Sequence, residues 1–292
     1  MAPEPESIGR YRLQQPLEPD STSWLAEDLE GPTSSVVVKL LPEGSDAIAA
    51  RHIQELMGST DLSGINPVID HGELPDGRPF LVYPLVQGTS LRDFLNSSGP
   101  LPMNVAGGVL QQIGKGLEAL HQHKLVYGVL SPEHVILQSG QGQMRAVLLN
   151  AGAFRVSGQT STSPGYLAPE QAVGNPTVRS DVFSLGAVSA EVLTGRRAFR
   201  YGSLNDLERM QRIGLARGSL RKLRSKIPIR VEEEIRKATS WDPAQRPTDV
   251  EVFGARLGEY LGAGRFPRRR IILLGLVSAA LGAAGLRNCR RR

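Results

Sequence analysis

The sequence predicts an α+β protein made of two lobes, the first rich in strands and the second rich in helices. Its 292 residues, 40% of them hydrophobic and 22% charged, are enough to bury a sizeable core. Short apolar runs separated by turn residues fill 10–86, whereas apolar residues recur at helical spacing over much of 87–262. A run of strands followed by a run of helices is typical of α+β architecture.

The first lobe is predicted to begin with three short strands. The third of them, 34–41, is an apolar run interrupted mainly by Lys39, and such a run suits a buried strand. A helix that carries Glu55 follows, and a further strand run covers 79–86. Turn residues separate these runs, as they do between strands.

The second lobe is predicted to be mostly helical. Leucine and isoleucine recur at helical spacing over 105–122, which is the pattern of a buried helix face. Another helix begins at Ser180 and is ended by Gly195. Two short strand-like runs, 126–137 and 146–149, lie between these helices.

The charge distribution argues against a nucleic-acid partner. Of the 34 lysine and arginine residues, eight lie in 265–292, which has no acidic residue. Residues 1–264 contain the other 26 basic residues and all 29 acidic residues, so the folded part is mildly acidic. It lacks the excess of positive charge that nucleic acid attracts. The single cysteine, Cys289, excludes a disulfide scaffold.

The C-terminal end predicts one membrane-spanning helix over 271–286. These 16 residues carry no charge and are bracketed by arginines. A helix of this length spans about 24 Å, and flanking arginines can reach the interface across the rest of the roughly 30 Å hydrocarbon core. A buried or interfacial helix is the alternative interpretation. Small residues at Gly275, Ala279 and Ala283 could bring two such helices together as a homodimer.

The first residues lack the basic and apolar regions of an export signal, so we expect a single-pass protein whose folded part is cytoplasmic. The predicted boundaries are an N-terminal tail 1–9, a first lobe 10–86, a second lobe 87–262, a basic linker 263–270, the membrane helix 271–286 and a basic tail 287–292.

Seven motifs follow one another in a fixed order between Tyr11 and Leu261. They are Val36-Val37-Val38-Lys39, Glu55, the run 80–91, Leu120-His121, and the runs 165–171, 180–186 and 242–248. In order and spacing the chain resembles the bacterial serine/threonine protein kinases. The resemblance implies a two-lobed protein-kinase-like fold over most of the chain.

The resemblance also implies roles for individual residues. Lys39 and Glu55 are expected to pair, and Lys39, Glu55, Pro84 and Val86 are the candidate nucleotide contacts. Glu170 and Arg246 are expected to form a buried salt bridge. Asp181 is expected to hold the backbone of the catalytic loop. These last three residues would be structural.

The positions that carry the chemistry depart from the family. Val129 stands where the family has its catalytic aspartate, and His134 stands where it has a metal-binding asparagine. Asn150 replaces the metal-chelating aspartate, and no glycine lies between Leu17 and Ala26. A hard cation prefers carboxylate oxygens. We therefore predict no catalytic residue, no metal and no cofactor, or at most ATP bound without Mg²⁺.

The sequence thus predicts a membrane-anchored pseudokinase that is not an enzyme and regulates a protein partner, such as an active kinase. The alternatives are a divergent but active serine/threonine protein kinase and a metal-independent ATP sensor. Four hydroxyl residues, Thr160, Ser161, Thr162 and Ser163, are candidate acceptors of phosphate from another kinase. A plain flexible loop is the alternative interpretation of that run.

Overall fold

The computed structural model of the chain describes residues 7–17, 22–31, 35–59, 62–140, 143–158 and 163–263. These residues form two compact units. The first unit comprises the described residues up to Val86 together with 150–158, and the second comprises 87–149 and 163–263. The segment 150–158 lies inside the range predicted for the second lobe, but it packs as part of the first unit.

The first unit is built on a six-stranded antiparallel sheet. In spatial order its strands are β1 (Ser7–Ile8), β2 (Tyr11–Pro16), β3 (Ser23–Asp28), β4 (Ser35–Leu40), β6 (Pro79–Pro84) and β5 (Asp70–Glu73). Val36 and Val38 of β4 are buried in one core cluster with Ala26 and Val82. Because side chains alternate along a strand, Lys39 lies on the opposite face.

Two helices complete the first unit, α1 (Ala47–Ser59) and α4 (Ala153–Ser157). Ile53 and Met57 of α1 are buried. Gly152, just before α4, lies so close to α1 that a Cβ atom there would be 2.5 Å from Ile53 Cγ2. The backbone N–H of Asp46 also donates to the carbonyl oxygen of Val156 at 2.8 Å. The two helices are therefore in direct contact.

The second unit consists of helices and a three-stranded sheet. Its helices are α2 (Leu91–Ser98), α3 (Met103–Gln122), α5 (Pro169–Ala172), α6 (Val178–Thr194), α7 (Leu204–Ile213), α8 (Ser219–Leu223), α9 (Ile229–Ala238) and α10 (Val250–Leu261). Its strands are β7 (Thr89–Ser90), β8 (Val135–Gly140) and β9 (Gln143–Leu148). Helix α6 is buried along most of its length.

Helices α3 and α10 approach each other through glycine. A Cβ atom at Gly114 would lie 2.8 Å from the carbonyl oxygen of Val250, so no larger residue fits there without a shift of the backbone. A Cβ atom at Gly107 would lie 2.9 Å from Leu261 Cβ and 3.2 Å from the carbonyl oxygen of Gly258. This close contact fixes α10, the last described helix, on the body of the second unit.

The predicted division into a strand-rich and a helix-rich lobe is confirmed. The apolar run predicted over 34–41 forms the inner strand β4, and the periodic run over 105–122 forms α3. The predicted membrane helix, 271–286, lies outside the described residues. Within the described ranges, no helix has the length and apolar character that crossing a membrane requires.

Candidate active site

Asp181 of α6 holds the backbone of the loop over 127–134 in the second unit. Its side chain is fully buried at 0% exposure. One carboxylate oxygen accepts the Gly128 N–H at 2.8 Å, and the other accepts the Tyr127 N–H and His121 Nε2–H, each at 2.8 Å. These three hydrogen bonds satisfy the buried side chain of Asp181 and fix the position of the loop.

The side chains of this loop are not those that the family carries. Val129 is 7% exposed and offers only its carbonyl oxygen, which lies 2.6 Å from Nδ1 of His134. A carbonyl oxygen can only accept, so Nδ1 of His134 carries a proton in this contact. Ser131, which replaces the family's lysine, is fully buried beside Glu133.

A charged cluster that the sequence analysis did not identify lies beside the loop. Arg92 of α2 donates from Nε to Glu133 at 2.8 Å and from Nη1 to Glu191 at 2.8 Å. The same guanidinium contacts the hydroxyl of Tyr166, which donates to Glu191. Arg92, Glu133, Tyr166 and Glu191 come from four separate parts of the chain. Each is unremarkable in its own local pattern, so no sequence signal indicates the cluster.

The charges of this cluster determine the state of Glu133. Burial alone would raise the pKa of Glu133, but its hydrogen bond to Arg92 outweighs that effect and lowers the pKa below the usual value. Glu133 is therefore an ionised, paired carboxylate. Burial opposes the charge of Arg92 as well, but its bonds to Glu191 and Glu133 raise its pKa.

Glu170 and Arg246 form a bidentate ion pair in the second unit. Arg246 Nη1 and Nη2 lie 2.6 and 2.9 Å from the two carboxylate oxygens of Glu170. The hydroxyl of Ser180 donates to the same carboxylate at 2.6 Å. Burial would raise the pKa of Glu170, but the bonds from Arg246 and Ser180 lower it. The pair joins the start of α5 to the segment before α10.

The predicted ion pair between Lys39 and Glu55 does not form in the described structure. Ser23 lies directly opposite Lys39 in the β3–β4 pairing, and Lys39 Nζ donates to its hydroxyl at 3.1 Å. Glu55 is exposed, and no salt bridge between the two is found among the described residues. Ile53 and Met57 of α1 face the interior. Glu55 lies two positions from each of them, and residues two positions apart point to opposite sides of a helix. The packing of α1 therefore turns Glu55 to solvent.

The segment that replaces the family's metal-binding aspartate makes a left-handed turn. Asn150 has φ +56° and Gly152 has φ +83°. Asparagine tolerates this region better than most residues, and glycine tolerates it freely. Between them, the carbonyl oxygen of Ala151 accepts the hydroxyl of Tyr83 at 3.1 Å. Tyr83 is fully buried, and burial raises its pKa.

The expected nucleotide contacts at Pro84 and Val86 lie at the end of β6 and just beyond it. The carbonyl oxygen of Pro84 already accepts a hydrogen bond from the side-chain amide of Asn66 at 3.0 Å. Val86 is half-buried. Asn66 is thus a further residue that the sequence analysis did not identify, and its amide binds one of the two lone pairs of the Pro84 carbonyl oxygen.

The donor groups in these segments do not fit Mg²⁺. Val129 has no donor in its side chain, His134 offers an imidazole and Asn150 a neutral amide. Mg²⁺ favours carboxylate and phosphate oxygens in a near-octahedral arrangement. In the described part of the chain, no group of three or more histidine, cysteine, aspartate or glutamate side chains is arranged to hold a metal ion.

Six of the predicted residues fall in parts of the chain that the structure does not describe. Thr160, Ser161 and Thr162 lie outside the described residues, as do Gly275, Ala279 and Ala283 of the predicted homodimer contact. Ser163 is described and half-buried, and its carbonyl oxygen accepts the N–H of Tyr166 at 3.2 Å. The predicted protein partner, the membrane attachment and the cytoplasmic location stay predictions.

Comparison with known proteins identifies the family. Residues 53–256 match the family model described as "Protein kinase domain". The chain is 30% identical over 262 residues to the serine/threonine-protein kinase PknL of Mycobacterium bovis, covering 85% of this chain and 65% of that protein. It is 26% identical over 278 residues to the serine/threonine-protein kinase PrkC of Bacillus subtilis, covering 91% of this chain and 42% of PrkC.

A solved structure shows the same fold. The crystal structure of Rad53 residues 1–466 in complex with AMP-PNP matches with a TM-score of 0.70 at 17% identity, covering 85% of this chain and 65% of that one. At this identity the likeness concerns the fold alone. In length, the chain covers about two thirds of PknL and less than half of PrkC.

These comparisons correct one expectation. The prediction that the chain is not an enzyme is wrong, because the matched domain is a protein kinase domain and the relatives are named as serine/threonine protein kinases. The match covers more than half of the chain and includes the 127–134 loop, Asp181 and the Glu170–Arg246 pair. The chain belongs to the protein kinase family.

Proposed function

We propose that the chain is a divergent serine/threonine protein kinase, which transfers the γ-phosphoryl group of ATP to a hydroxyl group of a protein. The proposal is supported by the family membership and by the names of the relatives. The observation that carries it is the anchored loop: Asp181 accepts the N–H groups of Tyr127 and Gly128, so the backbone that presents the reacting side chains is fixed.

His134 is the residue of this loop best suited to accept the proton of the attacking hydroxyl. Its Nδ1 lies 2.6 Å from the carbonyl oxygen of Val129 and must donate in this contact, so in the neutral form of the ring Nε2 is the basic nitrogen. Val129 itself cannot accept a proton. An imidazole oriented through one nitrogen and basic at the other is a common general base in enzymes.

Phosphoryl transfer proceeds by direct displacement at the γ-phosphorus. The hydroxyl oxygen of the acceptor residue forms a bond to the γ-phosphorus, and its proton moves to His134 Nε2. The bond from the γ-phosphorus to the oxygen that bridges it to the β-phosphate breaks, and ADP leaves with that electron pair. The products are a phosphorylated hydroxyl residue and ADP.

Glu133 is unsuited to the same role although it is adjacent to His134. Its carboxylate is engaged by Arg92, and its pKa is lowered, so it is a weak base. We assign it to the Arg92 cluster, which holds the loop against α2 and α6. Its contribution would be to position His134.

Lys39 is assigned to the phosphates of ATP. The resemblance places it at the family's nucleotide lysine, and its ammonium group is bonded to Ser23 rather than to Glu55. A positioned base is worth roughly 10²–10⁴-fold in rate. Because the family's carboxylates are replaced at Val129 and Asn150, we expect slower transfer than in the relatives.

The test is phosphotransfer by the purified full chain. ATP carrying a γ-³²P label is incubated with the protein and a general acceptor such as casein, with Mg²⁺ or Mn²⁺ present, and the labelled residues are identified by mass spectrometry. Wild-type protein should label serine or threonine, and Lys39→Met should reduce the rate at least about tenfold. Lys115→Gln, an exposed charge on α3, is the matched control and should change nothing.

Two outcomes would overturn the proposal. One is label transfer no greater than that of heat-denatured protein. The other is equal transfer by wild-type protein and Lys39→Met, which would indicate a contaminating kinase. Binding of ATP without any transfer would favour the alternative of a nucleotide sensor.

A further inference from the structure

The segment 216–230 of the second unit carries six basic residues and no acidic residue. Five of the six are exposed, and we call them the basic patch: Arg217, Arg221, Lys222, Lys226 and Arg230. The sixth, Arg224, turns inward and donates to the carbonyl oxygens of Leu101 at 2.8 Å and Leu193 at 2.9 Å. The segment runs from just before α8 into the first turn of α9.

The segment is firmly attached to the body of the unit. Leu220 and Ile227 are buried. The carboxylate of Glu232, itself buried, accepts the N–H of Gly218 at 3.1 Å and of Leu220 at 2.8 Å. These contacts hold the backbone while the charged side chains between them face solvent. The basic patch is therefore displayed on a fixed surface and is not a loose tail.

The charges of the basic patch are not balanced by ion pairs. In the ranges that the structure describes, none of the five takes part in a salt bridge, whereas Arg209 and Arg212 on α7 pair with Asp206 and Glu208. Exposed acids do occur on the adjoining helices, at Glu233 and Glu259, but neither forms a salt bridge with the patch. A group of exposed cations without ion pairs favours an anionic partner over a neutral one.

Apolar side chains are interleaved with these cations. Leu223 is 48% exposed and Ile229 is 56% exposed. A surface with lysine and arginine around exposed aliphatic side chains suits a membrane interface, where the cations meet phosphates and the apolar groups enter the headgroup layer. The segment has no aromatic residue on which a nucleic-acid base could stack.

The basic patch also adjoins the place where the described chain ends. The guanidinium of Arg230 lies over the ring of Tyr260 at 5.8 Å, in the last turn of α10. The described residues end shortly after, at Ala263, and the membrane segment predicted from the sequence begins at residue 271. A membrane that receives the C-terminal end would thus be near the patch.

From these observations we propose that the basic patch, with Leu223 and Ile229, docks the second unit on the anionic lipid headgroups of a membrane surface. Each exposed lysine or arginine contributes roughly fivefold to binding at such a surface. The interaction is separate from the proposed phosphotransfer, since none of its residues belongs to the 127–134 loop or its anchors. It does not require the predicted membrane helix.

The test places a reporter inside the patch. In the full chain, Ser225, which is exposed, is changed to cysteine and labelled with a fluorophore, and the single native cysteine is removed by Cys289→Ser. The labelled protein is mixed with nanodiscs of phosphatidylcholine alone, or with about 30% phosphatidylglycerol, that contain a headgroup-level spin-labelled quencher. Quenching should occur with the anionic discs and be largely lost near 1 M salt, where the screening length is about 3 Å.

Matched variants test whether docking depends on the basic patch itself or only on the net charge of the protein. Arg221→Gln/Lys222→Gln should lower the ratio of docked to undocked protein by about 25-fold. Lys115→Gln/Arg145→Gln removes two exposed charges from α3 and β9 and should change the ratio less than about twofold. Circular dichroism and thermal unfolding check that each variant is folded.

Three results would overturn the proposal. The first is equal quenching by neutral and anionic discs, and the second is no quenching by either. The third is an equal loss in the patch variant and the control variant. Polyglutamate and a single-stranded oligonucleotide serve as competing probes, and tight binding of either one with no quenching by anionic lipid would assign the patch to an acidic protein or a nucleic acid instead.

Discussion

The imidazole of His134 donates its Nδ1 proton to the carbonyl oxygen of Val129 across 2.6 Å. This bond joins the two positions at which the loop departs most from the family. It fixes the orientation of the ring of His134, the residue that we propose as the proton acceptor. Several consequences of this and of the neighbouring contacts can be measured.

The ion pair of Glu170 and Arg246 should be a large, pH-dependent contribution to stability. Removing one partner of a fully buried pair costs about 3–5 kcal/mol; Arg246 is buried and Glu170 half-buried, so Glu170→Gln should lower the free energy of unfolding near pH 7 by up to about that amount. The pKa of Glu170 is lowered in the folded protein, so its contribution is present above the unfolded value and is lost as the pH falls through the folded value. The difference from wild type should therefore shrink at acid pH.

Urea unfolding at pH 7 and at about pH 3.5 measures this difference, with the unfolded carboxyl titrating near 4.3. Glu208→Gln is the control, because Glu208 pairs with Arg212 on the surface of α7 and should contribute less than about 1 kcal/mol. A Glu170→Gln effect of the same size at both pH values would contradict the prediction.

Gly152 should resist substitution for two separate reasons. Alanine there would adopt φ +83° and would also place its Cβ 2.5 Å from Ile53. Gly158 has φ +66° with no atom near its Cβ position, so Gly158→Ala isolates the backbone cost of roughly 1–2 kcal/mol. Gly152→Ala should cost more than that and loosen α1.

Amide hydrogen exchange over 47–59 in the two alanine variants checks this prediction. Faster exchange in Gly152→Ala than in Gly158→Ala is expected, since only the first displaces Ile53. Indistinguishable exchange in the two variants would show that α1 does not depend on the contact with Gly152.

Glu55 should be energetically neutral in this structure. Its side chain is exposed on α1 and forms no salt bridge with Lys39 among the described residues. Glu55→Gln should change the free energy of unfolding by no more than about 0.5 kcal/mol. Ser23→Ala, by contrast, removes the hydroxyl that Lys39 contacts and should cost about 1 kcal/mol.

Thermal unfolding of both variants beside the wild type measures these effects. If Glu55→Gln proved the more damaging of the two, the pairing of Lys39 with Ser23 would not describe the protein in solution.

The strands and helices could be predicted because their patterns are local. The apolar run around Lys39 specifies β4, and the leucine spacing over 105–122 specifies α3. The rotation of α1 could not be predicted, since it is set by tertiary packing, which includes a close approach to Gly152 about 100 residues away along the chain. The same is true of Arg92, whose partners Glu133 and Glu191 are brought to it only by the folded second unit.

The departures at Val129, His134 and Asn150 are visible in the sequence, but their consequences are not. Reading each residue against the family's chemistry leads to the prediction of a non-enzyme, which the comparisons contradict. The hydrogen bond that makes His134 a candidate base depends on the folded loop, and no motif encodes it.

The most direct test of the proposed function compares three proteins at position 134. His134→Asn keeps a donor for the carbonyl oxygen of Val129 but has no base, and His134→Ala has neither. We predict that kcat for phosphotransfer falls roughly 10²–10⁴-fold in both variants, that the KM for ATP of His134→Asn stays near that of wild type, and that added imidazole restores part of the activity of His134→Ala. Wild-type kcat in His134→Asn, with no response of His134→Ala to imidazole, would contradict the role of His134 as the proton acceptor.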